Sequence, residues 1–291
     1  MSDIRGRAVP TGSAPEQPSS VFDIAESAAA QTPARLLAAF LAGAGVGVLG
    51  GMIGLGGAEF RLPLLIGVFG FAALAAVILN KALSLVVVLT ALPARLIAVP
   101  FDQVAPHWTV VVNLLAGSLV GAWLGATWAT RLRSATLYRV LAVLLAVIAA
   151  VLLATHFATI PSPELAGPAQ IVVGVIAGVG IGVVAALMGV AGGELLIPTI
   201  VLLYGLDIRI AGSLSLAVSL PTMLVAFARY SRDASFVILR RQARFAAVMA
   251  LGSVTGVLLG GLLLGVVSDL VLVPILAVLL ILSAFKIWKH D

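Results

Sequence analysis

Gly54-Leu-Gly-Gly57-Ala-Glu59-Phe-Arg61-Leu-Pro63 and Gly189-Val-Ala-Gly192-Gly-Glu194-Leu-Leu-Ile-Pro198 are two copies of one phrase, 135 positions apart. They share two glycines, a glutamate and a proline at identical spacing. The offset holds well beyond the phrase. Gly43, Gly45 and Gly47 map onto Gly178, Gly180 and Gly182, and Gly117, Gly121 and Gly125 onto Gly252, Gly256 and Gly260. Leu141-Ala-Val-Leu-Leu145 maps onto Leu276-Ala-Val-Leu-Leu280. The match runs ungapped from about residue 43 to 145 against 178 to 280, so the chain is a duplication with two equivalent halves.

Composition decides the solvent. The chain is 62% hydrophobic and 10% charged, with a mean hydropathy of +1.20. A soluble domain carries about a quarter charged residues, so the polar material here does not cover a soluble globule of 291 residues. The apolar stretches run to roughly 20 residues each, the length of a helix across a hydrocarbon core about 30 Å thick. They lack the apolar/polar alternation of a membrane β-barrel. Cysteine is absent, which excludes a disulfide framework, a thiolate metal site and a cysteine nucleophile. The net charge of +5 is read as Lys and Arg gathered in cytoplasmic loops, not as a nucleic-acid surface.

Residues 1–33 are polar, rich in Pro and Ser, and lack an apolar run, which argues against a signal peptide and for a flexible cytoplasmic tail. Residues 34–156 form a first membrane repeat, 157–168 a linker with three prolines, and 169–291 a second repeat. The expected segments lie near 34–53, 55–72, 74–99, 109–129 and 136–156, then 169–188, 190–206, 208–230, 245–266 and 270–288. Loop 100–108 has no Lys or Arg, whereas its counterpart around 229–244 holds five arginines. Loop 130–139 holds Arg131, Arg133 and Arg139, whereas 265–274 holds only Asp269. If Lys and Arg mark the cytoplasm, matching loops lie on opposite sides and the halves are inverted repeats. The expected fold is an all-α polytopic membrane protein of eight to ten transmembrane or re-entrant segments, in the cell (inner) membrane with both termini cytoplasmic. Five crossings per repeat, or three plus a re-entrant pair, satisfy the parity equally.

The repeated phrase falls where two apolar segments meet without a polar loop. Glycine permits unusual backbone angles and proline disrupts a helix interior. Together they predict helix ends or unwound backbone at membrane depth, tolerated only where protein buries it or water reaches it. In transporters built from inverted repeats, interruptions at matching positions point to the substrate site. A helix starting there aims free N–H groups and its positive dipole end into the gap, which suits an anion. The alternative for the glycines is close helix packing. Glu59 and Glu194 add carboxyls at depth, each costing about 2.5–3.5 kcal/mol or more unless paired, solvated or protonated. They are read either as proton carriers or gates, or as acceptors that hold the bend.

The duplicated Gly-rich phrase, Ala211-Gly-Ser-Leu-Ser-Leu216 and the glycine ladders four apart resemble the sulfite exporter TauE/SafE family of membrane permeases, from about residue 36 to 288. The family phrase runs Gly-x-Gly-Gly-Gly, where this chain has Ala58 and Ala191 at one position of each copy. The resemblance implies transport of small anions, among them sulfite and organosulfonates.

Few other charges fall within the apolar segments. Lys81, beside Asn80, and Arg61 are the cationic candidates for an anion. Their competing reading is snorkelling to the interface or pairing with Glu59. The candidate pathway comprises Gly54, Gly57, Glu59, Arg61, Pro63, Lys81, Ser84, Gly189, Gly192, Glu194, Pro198 and Ser219. Ser84/Ser219 and Ser118/Ser253 recur at the repeat offset, and back-bonding to their own helices competes with substrate contact. The glycine ladders predict close helix packing, and Trp108 and Trp288 sit where aromatic belts belong. His107, His156 and His290 have no partners at metal-site spacing, no Walker-type motif appears, and no cofactor or catalytic constellation is expected. The reading is a secondary transporter of a small anion, coupled to protons, working by alternating access. An anion channel, or a cation or metal carrier using Glu59 and Glu194, remains open.

Overall fold

The computed structural model describes residues 32–53, 56–98, 101–157, 167–263 and 269–289. The tail 1–31, most of the linker, Gly54 and His290 lie outside the described residues. Ten helices carry the fold: α1 (Pro33–Ile53), α2 (Ala58–Gly67), α3 (Ala73–Ala98), α4 (Trp108–Ala129), α5 (Ser134–Phe157), α6 (Pro168–Met188), α7 (Gly193–Tyr204), α8 (Ile208–Tyr230), α9 (Ala243–Leu262) and α10 (Asp269–Trp288). Short turns at Phe101–His107 and Ala234–Arg241 join α3 to α4 and α8 to α9. Each second-half helix starts 135 positions after its counterpart, so the sequence duplication is also a duplication of helix starts.

Among the described residues, seven helices are long and apolar enough to cross a membrane. The protein is an all-α, multi-pass membrane protein. Two of the expected segments are shorter than their apolar runs. Helix α2 has 10 residues and α7 has 12, or roughly 15 and 18 Å at 1.5 Å per residue, about half the hydrocarbon thickness. The glycines cut them short. Gly57 and Gly192 cap their N-termini with φ of 69° and 87°, a left-handed backbone that side-chain-bearing residues disfavour.

The halves exchange helices. Helix α1 of the first half packs along α9 of the second, and α6 of the second along α4 of the first, while α5 pairs with α10. The glycine ladders make these contacts. A Cβ on Gly121 would land on the Val179 carbonyl of α6, and one on Gly256 on the Ala44 carbonyl of α1, so the backbones touch as the packing reading expects. The largest apolar core joins α2, α3, α5 and α10 to the ends of α6, α8 and α9. Trp108 opens α4 and Trp288 closes α10, both about half exposed, as the aromatic-belt reading expects.

Candidate functional site

Helices α2 and α7 begin with the two glutamates in their first turns. Neither helix has a side-chain N-cap. Glu59 is 2% exposed and Glu194 8%, and the two carboxyls lie near enough to act on each other electrostatically. Both oxygens of Glu194 and Oε2 of Glu59 are buried without a hydrogen-bond partner among the described residues. Pro63 and Pro198 stand four residues after the glutamates and lack the N–H that would bond the glutamate carbonyl. The phrase therefore brings together two carboxyls and two helix starts, one from each half.

The two candidate cations are buried completely and neither snorkels. Arg61 donates from Nε to Asn80 Oδ1 at 2.9 Å, from Nη1 to Ser253 Oγ at 3.1 Å and from Nη2 to Ser84 Oγ at 3.0 Å. Lys81 Nζ donates to Ala185 O at 2.7 Å and Val190 O at 2.6 Å, short enough for charge-assisted bonds. Their partners are thus neutral acceptors, while Glu59 and Glu194 stand within electrostatic reach of Arg61 and Lys81 respectively.

Around Lys81, side chains from α3 and α8 cap the frayed end of α6. Helix α6 closes on Gly189 at φ 70°, with Val190 N–H bonded to Ala185 O and Gly189 N–H to Ala186 O, the paired bonds of a Schellman ending. The carbonyls that remain are taken from outside the helix. Asn80 Nδ2 bonds Met188 O at 3.1 Å and Ala58 O at 3.0 Å, so it ties the start of α2 to the end of α6. Ser84 Oγ bonds Gly189 O at 3.2 Å, and the Tyr230 hydroxyl bonds Ala186 O at 2.9 Å. Ser84 thus reaches across to the other half and does not back-bond within α3.

The second half is not a copy of this network. Positions equivalent to Arg61, Asn80, Lys81 and Ser84 hold Leu196, Ser215, Leu216 and Ser219. Ser219 Oγ is buried without a partner, because Leu196 occupies the place from which Arg61 serves Ser84. Nearby, Ser118 and Thr222 share a hydrogen bond of 2.8 Å. Asn80, the hub of the network, entered the sequence reading only as a neighbour of Lys81, and Thr222 not at all. The legible signal was polar residues at three- and four-residue spacing on one stripe, Asn80/Ser84 and Ser215/Ser219/Thr222.

A cavity of about 710 Å³ opens at the starts of α4 and α6, lined by His107, Asn113, Gln170 and Tyr204 among others, and includes no residue of either Gly-Glu-Pro phrase. Arg229, at the end of α8, donates to Thr127 Oγ1 at 2.8 Å and to Thr130 Oγ1.

A chain of two exchanged halves, each broken at a Gly-Glu-Pro phrase, meets its match in one protein family. The sequence profile of the sulfite exporter TauE/SafE family covers residues 39–287. The chain belongs to the sulfite exporter TauE/SafE family. That span contains all ten helices except the outermost ends of α1 and α10, so the TauE/SafE assignment applies to the whole membrane body. Comparison with curated proteins and with solved structures gave no match. TauE/SafE proteins are transporters, not enzymes.

Proposed function

We propose that the protein is a proton-coupled secondary transporter of a small anion, with sulfite, sulfonates and similar sulfur oxyanions as the substrate class. The proximity of the buried Glu59 and Glu194, each in the first turn of a short helix, carries this reading. Free N–H groups and positive dipole ends at the starts of α2 and α7 favour an anion between the halves. Two neighbouring buried carboxyls, with three of their four oxygens unpartnered among the described residues, call for a proton or a cation between them. The swapped pairing of α1 with α9 and α6 with α4 supports alternating access by rocking of two inverted repeats.

The test is flux of sulfite and a small sulfonate into proteoliposomes, with and without an imposed pH gradient. Accumulation driven by the gradient is expected. Glu59→Gln and Glu194→Gln should fold normally and lose gradient-driven flux, and full coupled transport in both variants would sink the proton role. A second reading rests on the same unpartnered oxygens: an acceptor-only pair beside proline-freed carbonyls suits a small cation. Uptake driven by a sodium gradient, with no anion moved, would favour it.

A further inference from the structure

Among the described residues, every buried Asp, Glu, Lys, Arg or His belongs to one constellation: Glu59, Arg61, Lys81 and Glu194. Three other charged side chains on neighbouring helices lie away from it. Arg35 bonds Phe69 O, Lys286 lies beside Gly67 at the far end of α2, and Arg229 bonds threonines at the end of α4. The buried Tyr230 gives its hydroxyl proton to Ala186 O. Among the described residues, the charge of the junction is therefore set by two cations and two carboxyls.

We infer that this constellation makes transport electroneutral, with one proton entering the Glu59–Glu194 pair for each negative charge on the anion. The inference rests on the anion-transport reading above. With both carboxyls ionised, the empty junction sums to zero. One proton between the carboxyls leaves a charge of +1, which a monoanion cancels, and a dianion requires a second proton. The two neutral states, empty and doubly loaded, are the ones that cross. A junction holding only the proton or only the anion strands a net charge at membrane depth, which is costly, and does not reorient. The cations stay in place throughout, because Arg61 and Lys81 are tied to both halves through Ser253, Ala185 and Val190. Coupling then needs no moving cation: protonation switches the net charge that the anion meets.

The experiment loads proteoliposomes with purified wild-type protein and offers sulfite and methanesulfonate as probes. Uptake, proton movement and current are recorded under a pH gradient and, separately, under a potassium–valinomycin potential. The expected result is accumulation driven by pH, one proton per methanesulfonate, no current and no response to potential. Accumulation with a net current, or with a proton ratio other than one, overturns electroneutrality and leaves the transport reading standing. No accumulation of either probe under any gradient overturns both. Glu194→Gln gives an independent check. It keeps both cations but one ionisable carboxyl, so anion-for-anion exchange should persist while pH-driven accumulation disappears. Accumulation in this variant equal to wild type also overturns the inference.

Discussion

Ser84 and Ser219 occupy matching positions in the two halves but have opposite surroundings. Ser84 accepts from Arg61 and donates to Gly189 O, whereas Ser219 has no partner. A buried hydrogen bond contributes about 1 kcal/mol net, and removing a hydroxyl that has none costs little. Ser84→Ala should therefore lower thermal stability by about 1–2 kcal/mol, and Ser219→Ala should leave it unchanged or raised, measured by unfolding in one detergent. A loss of anion affinity in stable Ser219→Ala protein would mark that hydroxyl as a substrate contact. Lys81→Met removes two charge-assisted bonds, each worth about 1.5–3 kcal/mol, and one positive charge of the junction. Both a lower melting temperature and a weaker substrate concentration dependence are expected. Retained affinity with lost stability would make Lys81 a purely structural cap of α6.

At the scale of elements, the glycines divide into those that touch and those that do not. Gly121 and Gly256 lie against carbonyls of the partner helix, while a Cβ on Gly45 or Gly180 meets nothing within 4 Å. Leucine at position 121 or 256 should force the α4–α6 or α1–α9 pair apart and abolish a monodisperse folded protein in size-exclusion chromatography. Gly45→Ala and Gly180→Ala should be neutral or stabilising, since alanine favours a helix interior by up to about 1 kcal/mol over glycine. The breaks obey a different constraint. Gly57 and Gly192 are needed for their left-handed backbone, which lets each half leave one helix and start another of only about half a membrane thickness.

At the scale of the whole molecule, the exchanged packing and the loop charges predict a topology. Cysteines placed by Asp102→Cys and Asp269→Cys should react with an impermeant thiol reagent from outside, and Arg241→Cys should not. Labelling of all three from one side would rule out inversion. Most of the architecture was legible in the chain because it depends on local or periodic information: apolar run lengths give membrane helices, and the 135-residue offset gives two halves with matching helix starts. The phrase also marked Glu59 and Glu194, because proline, glycine and carboxyl are each unfavourable in a membrane helix and so are conspicuous there. Three features required the tertiary structure. The length of α2 and α7 was one, since an apolar run does not say where its helix starts. The partners of Arg61 and Lys81 were another. Sequence spacing offered snorkelling or pairing with Glu59, but the acceptors are a serine 192 residues away and carbonyls more than 100 residues away. The asymmetry of the junction was the third. The sequence by itself determined that each half has a broken helix with a carboxyl at the break. Only the fold decided that the carboxyls come near each other and that the first half supplies both buried cations of the junction, Lys81 to the end of α6 and Arg61 to Ser253 of α9, because those contacts join segments that no local pattern relates.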